Sequence, residues 1–153
     1  MTIGRSLSAL IRPNKLATEV IEGVSASTVI GNWGEAQAAG FLAEQGYQIL
    51  GRNVRPNRHD EIDIVALTGQ ILVFVEVKTR RQEQYGRPLR AVDIKKRHAL
   101  NRAAAAYLRK AKFPNMFYRF DVIEVLGQPG DKAPIIRHLE NAFQFESRFK
   151  FPV

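Results

Sequence analysis

Leu72-Val73-Phe74-Val75-Glu76-Val77-Lys78 is the most hydrophobic strand-like stretch of the chain, and two charged residues interrupt it. Side chains alternate along a strand. Val73, Val75 and Val77 therefore share one face, and Phe74, Glu76 and Lys78 share the other. Just upstream, Glu61-Ile62-Asp63-Ile64-Val65 carries the same anomaly, and Thr68-Gly69 between the two runs is a turn signal that predicts a hairpin. With Thr68-Gly69 as a two-residue loop, Leu67 pairs with Gln70, Asp63 with Phe74, and Glu61 with Glu76. Glu61, Asp63, Glu76 and Lys78 then lie on one face, with Asp63 and Glu76 diagonal neighbours about 7–8 Å apart at the backbone. A three-residue loop would turn Asp63 to the opposite face and dissolve the group.

Clustered carboxylates on a half-buried face repel one another unless a cation or protons neutralise them. All-oxygen ligation, with no His in these strands and no Cys in the chain, favours Mg²⁺ or Mn²⁺ over zinc. Such an ion activates water and neutralises charge on a phosphodiester. Lys78 can orient or deprotonate the attacking water, or stabilise the pentavalent phosphate. A plainer reading stands beside this one: Glu76 and Lys78 as a same-face ion pair on a solvated strand end, with Asp63 paired to an arginine.

Working outward, Asn32 to Gln45 reads as a helix with Glu35, Ala38, Ala39 and Leu42 on one face, ended by Gly46. Glu35 is an acid on an apolar face. With Asn32 as N-cap it is also the third residue of a capping box, which would explain it without function. Tyr47–Val54 is a strand, followed by a basic turn, Arg55 to His59. Residues 91–111 form a second helix, stopped by Pro114. Its Lys96 aligns with Val92, Ala99 and Ala103, either reaching a phosphate or only snorkelling to solvent. Phe117–Leu126 is a strand and Ile135–Leu139 a further edge strand. The order helix, three strands, helix, strand predicts an α/β layered domain with a central mixed sheet. Residues 29–153 form that domain. Residues 1–28 read as an N-terminal extension whose last part, Ser25 to Thr28, is a connector.

The net charge of +8 over 153 residues points to polyanions such as nucleic acid, or serves solubility. Arg52, Arg55 and Arg58 precede the charged face, and Arg80, Arg81, Arg87 and Arg90 follow it, where backbone phosphates would be held. His59 and Tyr85 can stack on exposed bases. No apolar run is long enough to span a bilayer, and no signal peptide is evident. The absence of cysteine excludes thiol chemistry and suits a cytoplasmic protein.

Gly34-Glu35, Arg52-Asn53-x-Arg55, Glu61-Ile-Asp63, Phe74-Val-Glu76-Val-Lys78-Thr-Arg80 and Lys96 resemble, as a set, the YraN-like family of bacterial proteins. That pattern is in turn similar to archaeal Holliday-junction resolvases and other restriction-endonuclease-like PD-(D/E)xK enzymes. The resemblance implies an αβββαβ core and a metal-dependent DNA endonuclease acting on branched or single-stranded DNA. Glu35 would be the helix-borne acid, Asp63 the metal-binding aspartate, and Glu76 and Lys78 the (D/E)xK pair, with the Val77 carbonyl a further ligand to Mg²⁺ or Mn²⁺. Resolvase chemistry on two strands would suit a homodimer. An inactive nucleic-acid-binding module of the same fold is the alternative, and a protein-interaction domain the third. Asp60 departs from the pattern, standing where a glycine is common.

Overall fold

Ser25 sets the first element. Its hydroxyl accepts the Thr28 N–H at 3.2 Å and caps a helix, α1, over Ala26–Glu44. The expected connector at Ser25 to Thr28 is therefore a cap and first turn, and Asn32 is no N-cap. Glu35 sits well inside α1, so a capping box does not account for it. The computed structural model describes residues 24–82, 92–112 and 116–146. Most of the 1–28 extension, with Tyr85, Arg87, Arg90 and Pro114, lies outside those residues.

Five strands follow the expected order: β1 (Gln48–Val54), β2 (Ile62–Thr68), β3 (Ile71–Arg80), β4 (Phe117–Leu126) and β5 (Ile135–Phe143), with α2 (Ile94–Ala111) between β3 and β4. They form one sheet in sequence order, antiparallel except for the parallel pair β3–β4. The crossover through α2 is what a parallel pair requires. The mixed α/β architecture and the αβββαβ core are as the sequence predicts, with β5 added as a longer edge strand.

Near-continuous apolar strands need cover on both faces, and the two helices provide it. Ala38, Ala39 and Leu42 of α1 pack on Ile64, Ala66, Val73, Val75, Ile123 and Val125. On the opposite face Leu100, Ala103, Ala104 and Leu108 of α2 pack on Val65, Leu72, Phe74, Phe120 and Val122. Each large side chain so buried contributes roughly 1.5–3 kcal/mol. At the end of α2, Lys112 takes the left-handed conformation (φ 54°) that closes a helix.

The β2–β3 register differs from the expected one. Thr68 pairs with Ile71, Leu67 with Leu72, Val65 with Phe74, and Ile64 with Val75. The loop is therefore Gly69-Gln70. Gly69 has a positive φ of 56° and Gln70 does not, as a type II′ hairpin turn requires, with glycine first. Moving the loop by one residue moves the pairing by two, so every side chain keeps its face. Continued one step, this count sets Asp63 directly opposite Glu76 rather than diagonal to it, and Glu61 no longer faces Glu76.

Candidate active site

The β2–β3 ladder stops at Ile64 and Val75. Counted from the closing pair, the next hydrogen-bonded pair would be Ile62 with Val77. Instead the Val77 N–H donates to the Asp63 carboxylate at 2.7 Å. Asp63 thus takes the place of a backbone carbonyl at the point where the two strands part. Its side chain is held in line with β3 while its own strand turns away.

Two strands and two helices bring four side chains to this point. Asp63 comes from β2, Glu76 from β3, Glu35 from α1 and Lys96 from α2. Burial and then the Glu76 charge push the Asp63 carboxyl up to about 7, against the lowering effects of the Val77 N–H and Lys96. Burial, followed by the Asp63 charge, raises Glu35 above the ordinary carboxylate value, although Asn53 hydrogen-bonds it and Arg52 opposes the rise. The Lys96 ammonium lies 3.2 Å from Glu76 Oε2. Burial alone would lower its pKa, but Glu76 and Asp63 outweigh that and raise it. Lys96 therefore reaches a carboxylate of the site and does not merely snorkel.

Glu35 Oε2 is buried without a hydrogen-bond partner, and Glu76 Oε2 is held by the Lys96 ammonium at 3.2 Å. Oxygen donors short of positive partners suit a hard divalent cation. Among the described residues, however, no three or more His, Asp or Glu side chains are gathered into a metal-holding group. Asp63, Glu76 and the Val77 carbonyl are the donors the strands place nearest one another. Lys78 stands two residues beyond Glu76, about 7 Å along β3 on the same face.

Close packing of α1 on β3 holds Glu35 in range. A Cβ added to Gly34 would stand 1.8 Å from Thr79 Oγ1, so only glycine lets the helix lie this near the strand. Between the same two elements runs an open groove of about 330 Å³ beside Glu35 and Val77.

The basic residues divide. Arg52, Arg58 and Arg81 are exposed. Arg55 is exposed but paired with Glu61 at 2.7 Å. Arg80 is mostly covered, its side chain 17 % exposed, and lies 3.7 Å from Glu124. His59 is exposed on the turn. Asp60 does not join the carboxylates of the site. It is tied to Asn57 at 3.0 Å and receives two bonds from Arg102 of α2, at 2.9 and 3.2 Å. These bonds pin the β1–β2 turn to α2.

β4 carries two buried carboxylates that the sequence reading did not single out, Glu124, beside Arg80 and Arg137, and Asp121. Asp121 of β4 is fully buried and accepts from Arg119 at 2.9 and 3.1 Å and from the Asn141 N–H at 2.9 Å, while His138 Nε2 lies 2.8 Å away. Asp121 interrupts an apolar strand just as Asp63 does, so the same sequence signal marks both.

Comparison with known proteins now bears on these residues. The family model described as "Uncharacterised protein family UPF0102" matches residues 34–125. A UPF0102 protein of Trichlorobacter lovleyi is 47% identical over 115 residues, covering 74% of this chain and 89% of the relative. One of Caldicellulosiruptor saccharolyticus is 42% identical over 114 residues, covering 74% and 96%. One of Geotalea daltonii is 42% identical over 122 residues, covering 80% and 94%. The chain belongs to the UPF0102 family, which is the YraN-like family of the sequence motifs. Among the described residues no helix is long and apolar enough to cross a membrane.

Proposed function

We propose that this UPF0102 protein is a divalent-metal-dependent DNA endonuclease of the restriction-endonuclease-like PD-(D/E)xK kind. One observation carries the reading. Asp63 and Glu76 face each other where β2 and β3 part, half-buried and repelling, with Lys96 on Glu76 and an oxygen of nearby Glu35 lacking a hydrogen-bond donor. A fold keeps such an arrangement at a cost in stability, and active sites are where that cost recurs.

Asp63, Glu76 and the Val77 carbonyl would hold Mg²⁺ or Mn²⁺, whose chemistry there is to acidify a water and neutralise charge on a phosphodiester. The Val77 N–H fixes Asp63, so that its carboxylate is oriented before substrate arrives. Lys78 hydrogen-bonds the attacking water or a non-bridging phosphate oxygen. Lys96, already on Glu76, offers the phosphate a second cation. The exposed Arg52 and Arg58 hold the flanking backbone, a contact set that weakens with salt. Similarity of the motif set to Holliday-junction resolvases favours branched or single-stranded DNA and a homodimer.

A nucleic-acid-binding module without turnover is the second reading. It is favoured by the Lys96–Glu76 ion pair and by the absence, among the described residues, of a gathered metal-holding group. Labelled duplex, single-stranded, flap and four-way-junction DNAs with Mg²⁺ or Mn²⁺ separate the two. Metal-dependent cutting by the wild type, lost in Glu76→Ala while binding persists, supports the nuclease. A wild type that binds the panel and cuts nothing is the module.

A further inference from the structure

Glu35 and Val77 line the groove between α1 and β3, and Glu35 lies close enough to Asp63 for that charge to raise its carboxyl, so the groove adjoins the candidate site at this acid. Its volume of about 330 Å³ is at the lower end of the roughly 300–1,000 Å³ of small-molecule sites. A space of that size suits a small-molecule-sized group such as one nucleotide rather than a duplex. Ile30 and Val77 give it apolar sides, which a base needs once it leaves its stack. Thr79 and Glu35 add polar side chains to the lining. Arg81 stands at the groove, exposed and without an ion pair among the described residues, as a phosphate contact would be.

We propose that this groove receives one unpaired nucleotide of the substrate strand, base between Ile30 and Val77 and phosphate on Arg81. The substrate class is then DNA with an unpaired nucleotide beside the cut. The inference rests on the nuclease reading of the adjoining carboxylates and goes further by naming what the enzyme selects.

Gly31 supplies the test. A Cβ there meets nothing within 4 Å, so Gly31→Leu projects into open groove and also favours the helix. Fluorescence anisotropy in EDTA would compare a labelled duplex carrying one unpaired nucleotide with a fully paired duplex of equal length. The wild type should prefer the unpaired form about tenfold, the duplex having already lost the pairing that extrusion must otherwise break. Gly31→Leu should erase that preference while binding the paired duplex within about twofold of wild type, its backbone phosphate contacts being untouched. Should Gly31→Leu melt below wild type, Arg81→Ala carries the test, with an expected loss of about threefold in the preference.

A wild type without preference, or a folded Gly31→Leu that keeps it, overturns the assignment. The same DNAs with Mg²⁺ hold the two ideas apart. Cutting without preference removes the groove and leaves the nuclease, whereas preference without cutting removes the nuclease and leaves the groove. Neither preference nor cutting overturns both.

Discussion

Two carboxylate clusters interrupt the same sheet, one around Asp121 on β4 and one across β2 and β3, and they are built in opposite ways. Asp121 has donors on both oxygens, from a two-armed guanidinium and a backbone N–H, with a histidine beside it. Arg119 is tied on to Tyr47 at 2.9 Å and Glu140 at 3.3 Å. Asp63 and Glu76 face each other instead, with one backbone N–H on Asp63 and one lysine on Glu76. A fully satisfied buried charge is part of the scaffold, whereas two carboxylates set against each other at a strand divergence keep acceptor capacity that their neighbours do not fill. The difference teaches that burial of a carboxylate marks neither role. The donor inventory around it does.

The largest effect expected from breaking this contrast is at the scaffold cluster. Asp121→Ala strips Arg119, the Asn141 N–H and His138 of their shared buried acceptor and should cost about 3–5 kcal/mol, seen as a melting temperature lower by roughly 10 °C in calorimetry. A fall of only a degree or two would make Asp121 as dispensable as a surface acid. Next comes Gly34→Ala, which drives a methyl into Thr79 and should cost about 1–3 kcal/mol. Thr79→Gly added to it should recover at least about half, since the two positions are in contact. Denaturant titration of the single and double variants checks this, and strict additivity would deny the close packing that holds Glu35.

Smaller still is the pH response of the turn that Asp60 pins. Burial tends to raise its carboxyl, but hydrogen bonds from Arg102 and Asn57 and the Arg102 charge hold it below the ordinary value. A carboxyl lowered by folding stabilises at pH above the unfolded value of about 3.9 and loses that contribution as pH falls through the folded value. Asp60→Asn should flatten this acid limb by less than about 1 kcal/mol, because Arg102 is half exposed. An unchanged acid limb would show that the pair adds no stability.

Much of this was legible in the sequence. Apolar alternation and the Thr68-Gly69 turn signal located the hairpin, and the helical periodicities marked the apolar faces of α1 and α2. The register was off by two because glycine takes the first loop position, not the second. Parity nevertheless kept Asp63, Glu76 and Lys78 on one face. The early start of α1 was hidden because Ser25 to Thr28 carries no apolar period, only a cap. Arg102 and Arg119 were invisible as partners, since a guanidinium's target is set by tertiary approach and not by spacing. Asp121 could have been flagged by the rule that flagged Asp63, and only the neighbours distinguish them.

The most direct test of the account is the thermal stability of Glu76→Gln against wild type, in EDTA and then in Mn²⁺. Removing one of two repelling carboxylates, at the loss of a half-exposed lysine contact of about 1 kcal/mol or less, should leave the variant as stable as wild type or more so in EDTA. Mn²⁺ should then raise the wild type by about 2.7 kcal/mol at a hundredfold excess over its dissociation constant, with little effect on the variant, so that the order reverses. A Glu76→Gln protein less stable than wild type in EDTA and equally indifferent to Mn²⁺ would make the pair a structural feature like Asp121 and contradict the account.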